Sequence, residues 1–171
     1  MLEYNNKLSE IIDHCISNAK KKGATDVEVG IVKSTAETVS FRNKKLDESD
    51  RSENIGLSLT AYINKKKNSV LSSNLKTDNL EKLIERCVEA AKITPEDEFN
   101  SLPDEELFFK NSDELDLFDE THLENNQKID FLKEAEEVAF KNKEIVNTNG
   151  SSFSESKTEV VLGNSKGFKN G

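Results

Sequence analysis

His14 and His122 are the only histidines of the 171 residues, and Cys15 and Cys87 the only cysteines. Hydrolytic zinc needs ligands that converge on one ion, commonly from a His-Glu-x-x-His turn of helix, and neither histidine sits in such a pattern. His14 precedes Cys15, but adjacent helical positions point about 100° apart and cannot share an ion from one face. His14 is expected on the exposed side of a helix, and His122 in a surface or capping role. Each cysteine falls on an apolar helical stripe without a partner base, so both are expected as buried, inert thiols in a reduced compartment. Ser151-Ser152-Phe153-Ser154 has no Gly-x-Ser-x-Gly elbow. Gly163-Asn164-Ser165-Lys166-Gly167 lacks the Lys-Ser/Thr ending before a helix that phosphate loops use, and reads as a turn. Asp113, Asp116 and Asp119 are spaced by three without the glycine of a calcium loop. The residues offer no catalytic, cofactor-binding or metal-binding set.

The elements that would position these residues follow from apolar periodicity. Leu8, Ile11, Ile12, Cys15 and Ala19 make an amphipathic helix closed by Lys20-Lys21-Lys22 and Gly23. Val27, Val29 and Ile31 predict a first strand, and Val39 with Phe41 a second. Asn43-Lys44-Lys45 predicts a turn, and Leu46 to Ser52 a strand pairing back. Ile55, Leu57, Leu59, Ala61 and Ile63 alternate most clearly. Asn64 to Asn68 is expected as a turn, Ser69 to Ser73 as a return strand. Thr77 or Asp78 caps a helix with Leu80, Leu83, Ile84, Cys87 and Ala91 inward, stopped by Pro95. A third helix spans 127–143, with Ile129, Leu132, Ala135 and Ala139 inward. Strands at 144–148 and 157–163 end the chain, with the small residues between them as a turn.

Short turns between consecutive strands imply an antiparallel sheet. The fold class is therefore α+β, an antiparallel sheet with helices packed on one face, followed by the start of a second α+β domain. The expected divisions are 1–94, an acidic connector 95–122, and 123–171. The chain stops where a further strand is expected, so it reads as the N-terminal part of something longer.

The net charge of −9 is concentrated, since residues 95–124 hold twelve carboxylates against Lys110 alone. Apart from Lys20-Lys21-Lys22 at the end of the first helix, basic residues cluster only at Lys65-Lys66-Lys67, which argues against direct nucleic-acid binding. Large apolar residues punctuate the acidic stretch, so it is expected to be pinned to the surface by its aromatics. No apolar run approaches the ~20 residues of a membrane span, and no secretory signal opens the chain, which leaves the cytoplasm as the expected location.

Several short motifs recur in one order: Gly23-Ala24-Thr25-Asp26-Val27, Ser52 with Gly56-Leu57-Ser58-Leu59, Ser72-Ser73-Asn74-Leu75, Asp116-Leu117-Phe118, Asn147 to Phe153, and Gly163 to Gly167. In this order they resemble the TldD/PmbA family, a two-subunit metalloprotease system once called a modulator of DNA gyrase, and the PmbA (TldE) branch in particular. One departure is Asn68-Ser69, where the family often has a glycine after the central hairpin turn. The resemblance implies a partner subunit without metal ligands, acting with a TldD-like catalytic subunit that holds the zinc and cleaves peptides or unfolded proteins. It carries no catalytic residue onto this chain. The rival reading is a stand-alone regulatory protein-binding module, for example one acting on gyrase.

From the residues themselves, Gly56, Ser58, Thr60 and Tyr62 line the face of the central strand opposite its apolar side. Few charges lie there. That face is expected either to receive another domain, a partner subunit or an extended peptide, or to be plain solvated sheet.

Overall fold

The computed structural model describes residues 2–109 and 117–171. The elements run α1 (Leu2–Lys21), β1 (Asp26–Arg42), β2 (Lys45–Ile63), β3 (Lys66–Ser72), α2 (Thr77–Ile93), a 3₁₀ turn (Glu105–Leu107), α3 (Asn125–Phe140), β4 (Ser151–Asn164) and β5 (Lys169–Asn170). The strands form one sheet in the order β3-β2-β1-β4-β5.

Two tight turns set the antiparallel register. Asn43 and Lys44 have φ of 51° and 62°, and Asn64 and Lys65 have 49° and 67°. Positive φ at both central residues is the mirror-image turn that suits the right-handed twist of a hairpin. Asparagine tolerates it, whereas lysine adopts it at a cost of roughly 1–2 kcal/mol. From the second turn the pairing runs Ile63↔Lys66 through Leu57↔Ser72. β4 lies antiparallel to β1: the Ser165 amide donates to Val27 O at 2.8 Å, while at the far end Gly150 abuts Phe41 O.

Strand lengths depart from the sequence expectation. The two short strands expected between Val27 and Phe41 are one strand of 17 residues, and those expected at 46–52 and 55–63 are one of 19. Neither gap contains Gly-Pro or Asn-Gly turn chemistry, so the ladder continues through polar residues. Residues 145–150 are irregular rather than strand, and the serines expected in a turn open β4. Gly150 ends the irregular stretch at φ 89°, where a Cβ would lie 2.8 Å from Phe41 O. Of Gly163 to Gly167, expected as a turn, Gly163 and Asn164 end β4 and Ser165 to Gly167 form the turn, with Asn164 Oδ1 accepting from the amides of Lys166 (2.9 Å) and Phe168 (3.1 Å).

The chain divides into two compact units: residues 1–33, 54–110 and 158–171, and residues 34–53 and 111–157. In the first, α1 and α2 lie on one face of the sheet. Leu8, Ile12, Cys15 and Ala19 of α1 and Leu80, Ile84, Cys87, Val88 and Ala91 of α2 bury against Val27, Val29, Ile31, Leu57, Leu59 and Ala61. This is the expected apolar stripe, and at about 25 cal/mol per Å² its burial is the main source of stability. A Cβ on Gly163 would meet Ile12 Cγ2 at 2.6 Å, so a glycine is needed where α1 crosses β4. α2 begins without a side-chain cap: Thr77 is its first residue and Lys76 occupies the cap position. Asn74 Oδ1 instead accepts from the Lys76 amide at 3.1 Å.

In the second unit Val39, Phe41 and Leu132 form a small core with Ile129 and Phe153. The helix here starts at a capping box between Glu124 and Gln127. Its buried residues are Lys128, Leu132 and Glu136; of the expected Ile129, Leu132, Ala135 and Ala139, Leu132 is buried and Ile129 packs beside it, whereas Ala139 is half-buried and Ala135 exposed. Two charged residues can face inward because both are fully paired. The Lys128 ammonium lies 3.2 Å from both Glu37 Oε2 and Glu155 Oε2. The Glu136 carboxylate accepts from the amides of Asn43 and Lys44, both at 2.7 Å, and from the Thr148 hydroxyl at 2.8 Å. A helix stripe read by apolarity alone misses such a pattern.

Candidate interaction face

β2 alternates as expected. Leu57, Leu59 and Ala61 are buried, while Gly56 and Ser58 are exposed and Thr60 and Tyr62 half-buried on the opposite face. The outward side chains are tied down locally. Thr60 Oγ1 and Ser69 Oγ share a hydrogen bond of 2.8 Å across β2 and β3, and Ser58 Oγ donates to Gly30 O at 3.4 Å. The Tyr62 hydroxyl donates to Glu28 Oε2 at 3.4 Å. Partial burial and the adjacent Glu28 carboxylate raise the Tyr62 phenol above its ordinary value, so it remains a donor at neutral pH.

The sequence reading did not single out the apolar residues flanking this strip. Val32 is 43% exposed, Leu71 80%, Val160 41% and Leu162 42%. A groove of about 400 Å³ runs between Val32 and Leu71, lined also by Gly30, Gly56 and Ser58 among others. The strict alternation of β4, with Val161 and Gly163 inward and Val160 and Leu162 outward, was the signal that could have revealed two of them. An apolar groove floored by small residues suits a covering backbone or apolar side chain better than it suits water.

The remaining chemistry-bearing residues are not brought together. His14 is half-buried rather than exposed, 3.0 Å from Asn18 Nδ2 one turn along the same helix. His122 lies on the surface with Nδ1 3.3 Å from Glu155 Oε1, whose other oxygen holds Lys128. The Lys128 bond, despite some burial, keeps Glu155 ionised to lower pH than usual. Cys15 and Cys87 are free and buried, and burial pushes Cys15 up to about 11 and Cys87 upward as well. Thiols so placed are protonated and unreactive. Asp119 accepts from the Thr121 amide at 2.8 Å, a local turn, and Asp113 and Asp116 lie outside the described residues. Among the described residues no three of His, Cys, Asp and Glu converge on a point where a metal ion could sit. In the connector Leu102 is buried and Phe108 packs on Phe168 at 5.5 Å, but Phe99, Leu107 and Leu117 are exposed, so only part of the expected pinning is present. Among the described residues no helix is long and apolar enough to cross a membrane.

This arrangement, a helix-backed sheet with a small-residue outer face, has known counterparts. Residues 27–91 match the model of PmbA/TldA metallopeptidase domain 1 and residues 118–170 that of the PmbA/TldA metallopeptidase central domain. The chain belongs to the PmbA/TldD family. It is 28% identical over 166 residues to Metalloprotease PmbA of Escherichia coli O157:H7, covering 95% of this chain and 37% of that protein. It is 34% identical over 144 residues to a Metalloprotease PmbA homolog of Buchnera aphidicola, covering 82% and 32%. The chain thus spans about a third of the length of the relatives it matches. A crystal structure of a Bacteroides thetaiotaomicron protein, described as a candidate modulator of DNA gyrase, superposes with a TM-score of 0.85 at 24% identity, over 95% of this chain and 37% of that one. TldE from Thermococcus kodakarensis superposes with a TM-score of 0.70 at 16% identity, over 94% and 36%. These two likenesses establish the shared fold.

Proposed function

We propose that this chain is a non-catalytic region of a PmbA/TldE-type subunit. In this reading it assembles in the cytoplasm with a TldD-like, zinc-bearing catalytic subunit that processes peptides or unfolded proteins. The observation that carries the reading is the match along nearly the whole chain to PmbA-type metalloproteases, joined to a fold whose histidines and cysteines are each engaged locally. Direct nucleic-acid binding is not part of the proposal: basic residues concentrate only in the short runs Lys20-Lys21-Lys22 and Lys65-Lys66-Lys67, and Lys22 and Lys66 are paired with Glu85 and Glu96, each at 3.8 Å.

The assembly surface in this proposal is the outer face of β2, Gly56, Ser58, Thr60 and Tyr62, with the apolar rim of Val32 and Leu71. Small side chains let a partner backbone approach, and the rim supplies desolvated area. The test is co-expression with a TldD-type subunit, followed by size-exclusion chromatography and peptide-cleavage assays. Co-elution with supported cleavage is expected. A chain that elutes alone, or that cleaves peptides without the partner, overturns the reading.

A further inference from the structure

The register of β2 with β3 fixes which backbone groups of the sheet edge are open. A two-residue turn makes Ile63↔Lys66 a hydrogen-bonded pair, and the pairs then alternate. Asn68, Val70 and Ser72 bond to Ala61, Leu59 and Leu57, while Lys67, Ser69 and Leu71 turn their N–H and C=O away from β2. β3 is the terminal strand of the sheet.

The chain covers the start of that edge itself. The Thr94 hydroxyl donates to Lys67 O at 3.2 Å, and the Asp97 amide and Asn100 Nδ2 donate to Lys65 O at 2.9 and 3.2 Å. Among the described residues, no hydrogen bond of this kind reaches the edge beyond Lys67. Asn68 to Ser73 also contains no Lys, Asp, Glu or Pro, the residues with which proteins blunt an open edge. Leu71 stands 80% exposed there, beside the apolar groove shared with Val32 and Gly56. Lys67, exposed on the same face, supplies a positive charge at the covered end.

We propose that the Ser69–Leu71 edge is a strand-addition site for an extended polypeptide running antiparallel to β3. The polypeptide places an apolar side chain opposite Leu71 and an acidic one four residues later, beside Lys67. Backbone hydrogen bonds supply the attraction, the exposed Leu71 side chain selects the apolar residue across the edge, and Lys67 selects the charge. The inference concerns the sheet edge and does not depend on assembly through the face of β2.

The probe is the peptide acetyl-Glu-Thr-Leu-Thr-Thr-Thr-Glu-amide, added to the isotopically labelled chain and followed by amide hydrogen exchange. At a concentration about ten times its Kd, exchange at Ser69 and Leu71 slows about tenfold. N-methylation of the peptide's Leu and its middle Thr removes the two amides facing β3 and abolishes the effect. N-methylation of the two alternate Thr residues, whose amides point away, leaves it intact. Unchanged exchange, or equal behaviour of the two methylated peptides, overturns the proposal. So does protection of Ser69 and Leu71 that rises with protein concentration without peptide, because a second copy then occupies the edge. None of these outcomes bears on assembly with a catalytic subunit, which the unlabelled co-expression experiment reads separately.

Discussion

The Glu136 carboxylate and the Lys44 amide, 92 residues apart in sequence, meet at 2.7 Å. The second carboxylate oxygen takes the Asn43 amide at the same distance, so one buried side chain of α3 holds both outward N–H groups of the β1–β2 turn. That turn places two consecutive residues at positive φ, which aims neighbouring amides at one point and favours an anion there.

Burial alone would raise the Glu136 pKa, but the bonds from Lys44, Thr148 and Asn43 outweigh it and hold it below the ordinary carboxylate value. A depressed native pKa contributes stability above the unfolded pKa and loses it as pH falls through the native one. The melting temperature is therefore expected to fall as pH drops below about 4.3. Glu136→Gln should lower the melting temperature at pH 7 and flatten that acid limb. Parallel acid limbs for variant and wild type would contradict the assignment.

Lys128 is buried at 1% exposure between two carboxylates, which raise its pKa against the opposing effect of desolvation. Removing the ammonium leaves Glu37 and Glu155 facing each other. Lys128→Met is expected to lower the melting temperature by several degrees, and a further Glu37→Gln to recover part of the loss, as a coupled pair requires. Additive losses in the double-mutant cycle would show that the groups are independent.

Both cysteines lie in the helix–sheet core. Thiol reagents should label the native chain much more slowly than the unfolded chain. Cys15→Ser should destabilise by roughly 1–3 kcal/mol in urea titration, because the serine hydroxyl is buried with poor partners. Cys87→Ser is expected to cost less, since Sγ already lies 3.1 Å from Asn68 O, an acceptor a hydroxyl can use.

Lys65 at φ 67° occupies a conformation glycine adopts freely. Lys65→Gly is expected to raise stability by about 1 kcal/mol, the backbone cost it relieves. No gain in thermal midpoint would mean that contacts of the lysine side chain offset the strain.

Much of the fold was legible in the sequence because its first core obeys simple periods. Leu8 to Ala19 and Leu80 to Ala91 repeat at helical spacing, Ile55 to Ile63 alternate, and each landed where its period pointed. The misreadings share a different cause. β1 and β2 run on through polar residues such as Ser34-Thr35 and Asp47-Glu48, where ladder hydrogen bonds rather than side-chain hydrophobicity maintain the strand. α3 turns Lys128 and Glu136 inward, and only their partners Glu37, Glu155 and Asn43, distant in sequence, make that burial affordable. For the interaction face, alternation identified Gly56, Ser58, Thr60 and Tyr62. Its rim of Leu71, Val32 and Leu162 comes from three other strands and depends on register.

The most direct test sets the inward Leu59 against the outward Thr60. Leu59→Ala should cost about 2–5 kcal/mol as a core truncation, whereas Thr60→Arg should leave the melting temperature within a few degrees of wild type. Co-expressed with a TldD-type subunit, the Thr60→Arg chain is predicted to stay folded, to co-elute weakly and to support less peptide cleavage. Undiminished co-elution and cleavage with folded Thr60→Arg would contradict the assignment of this face as the assembly surface.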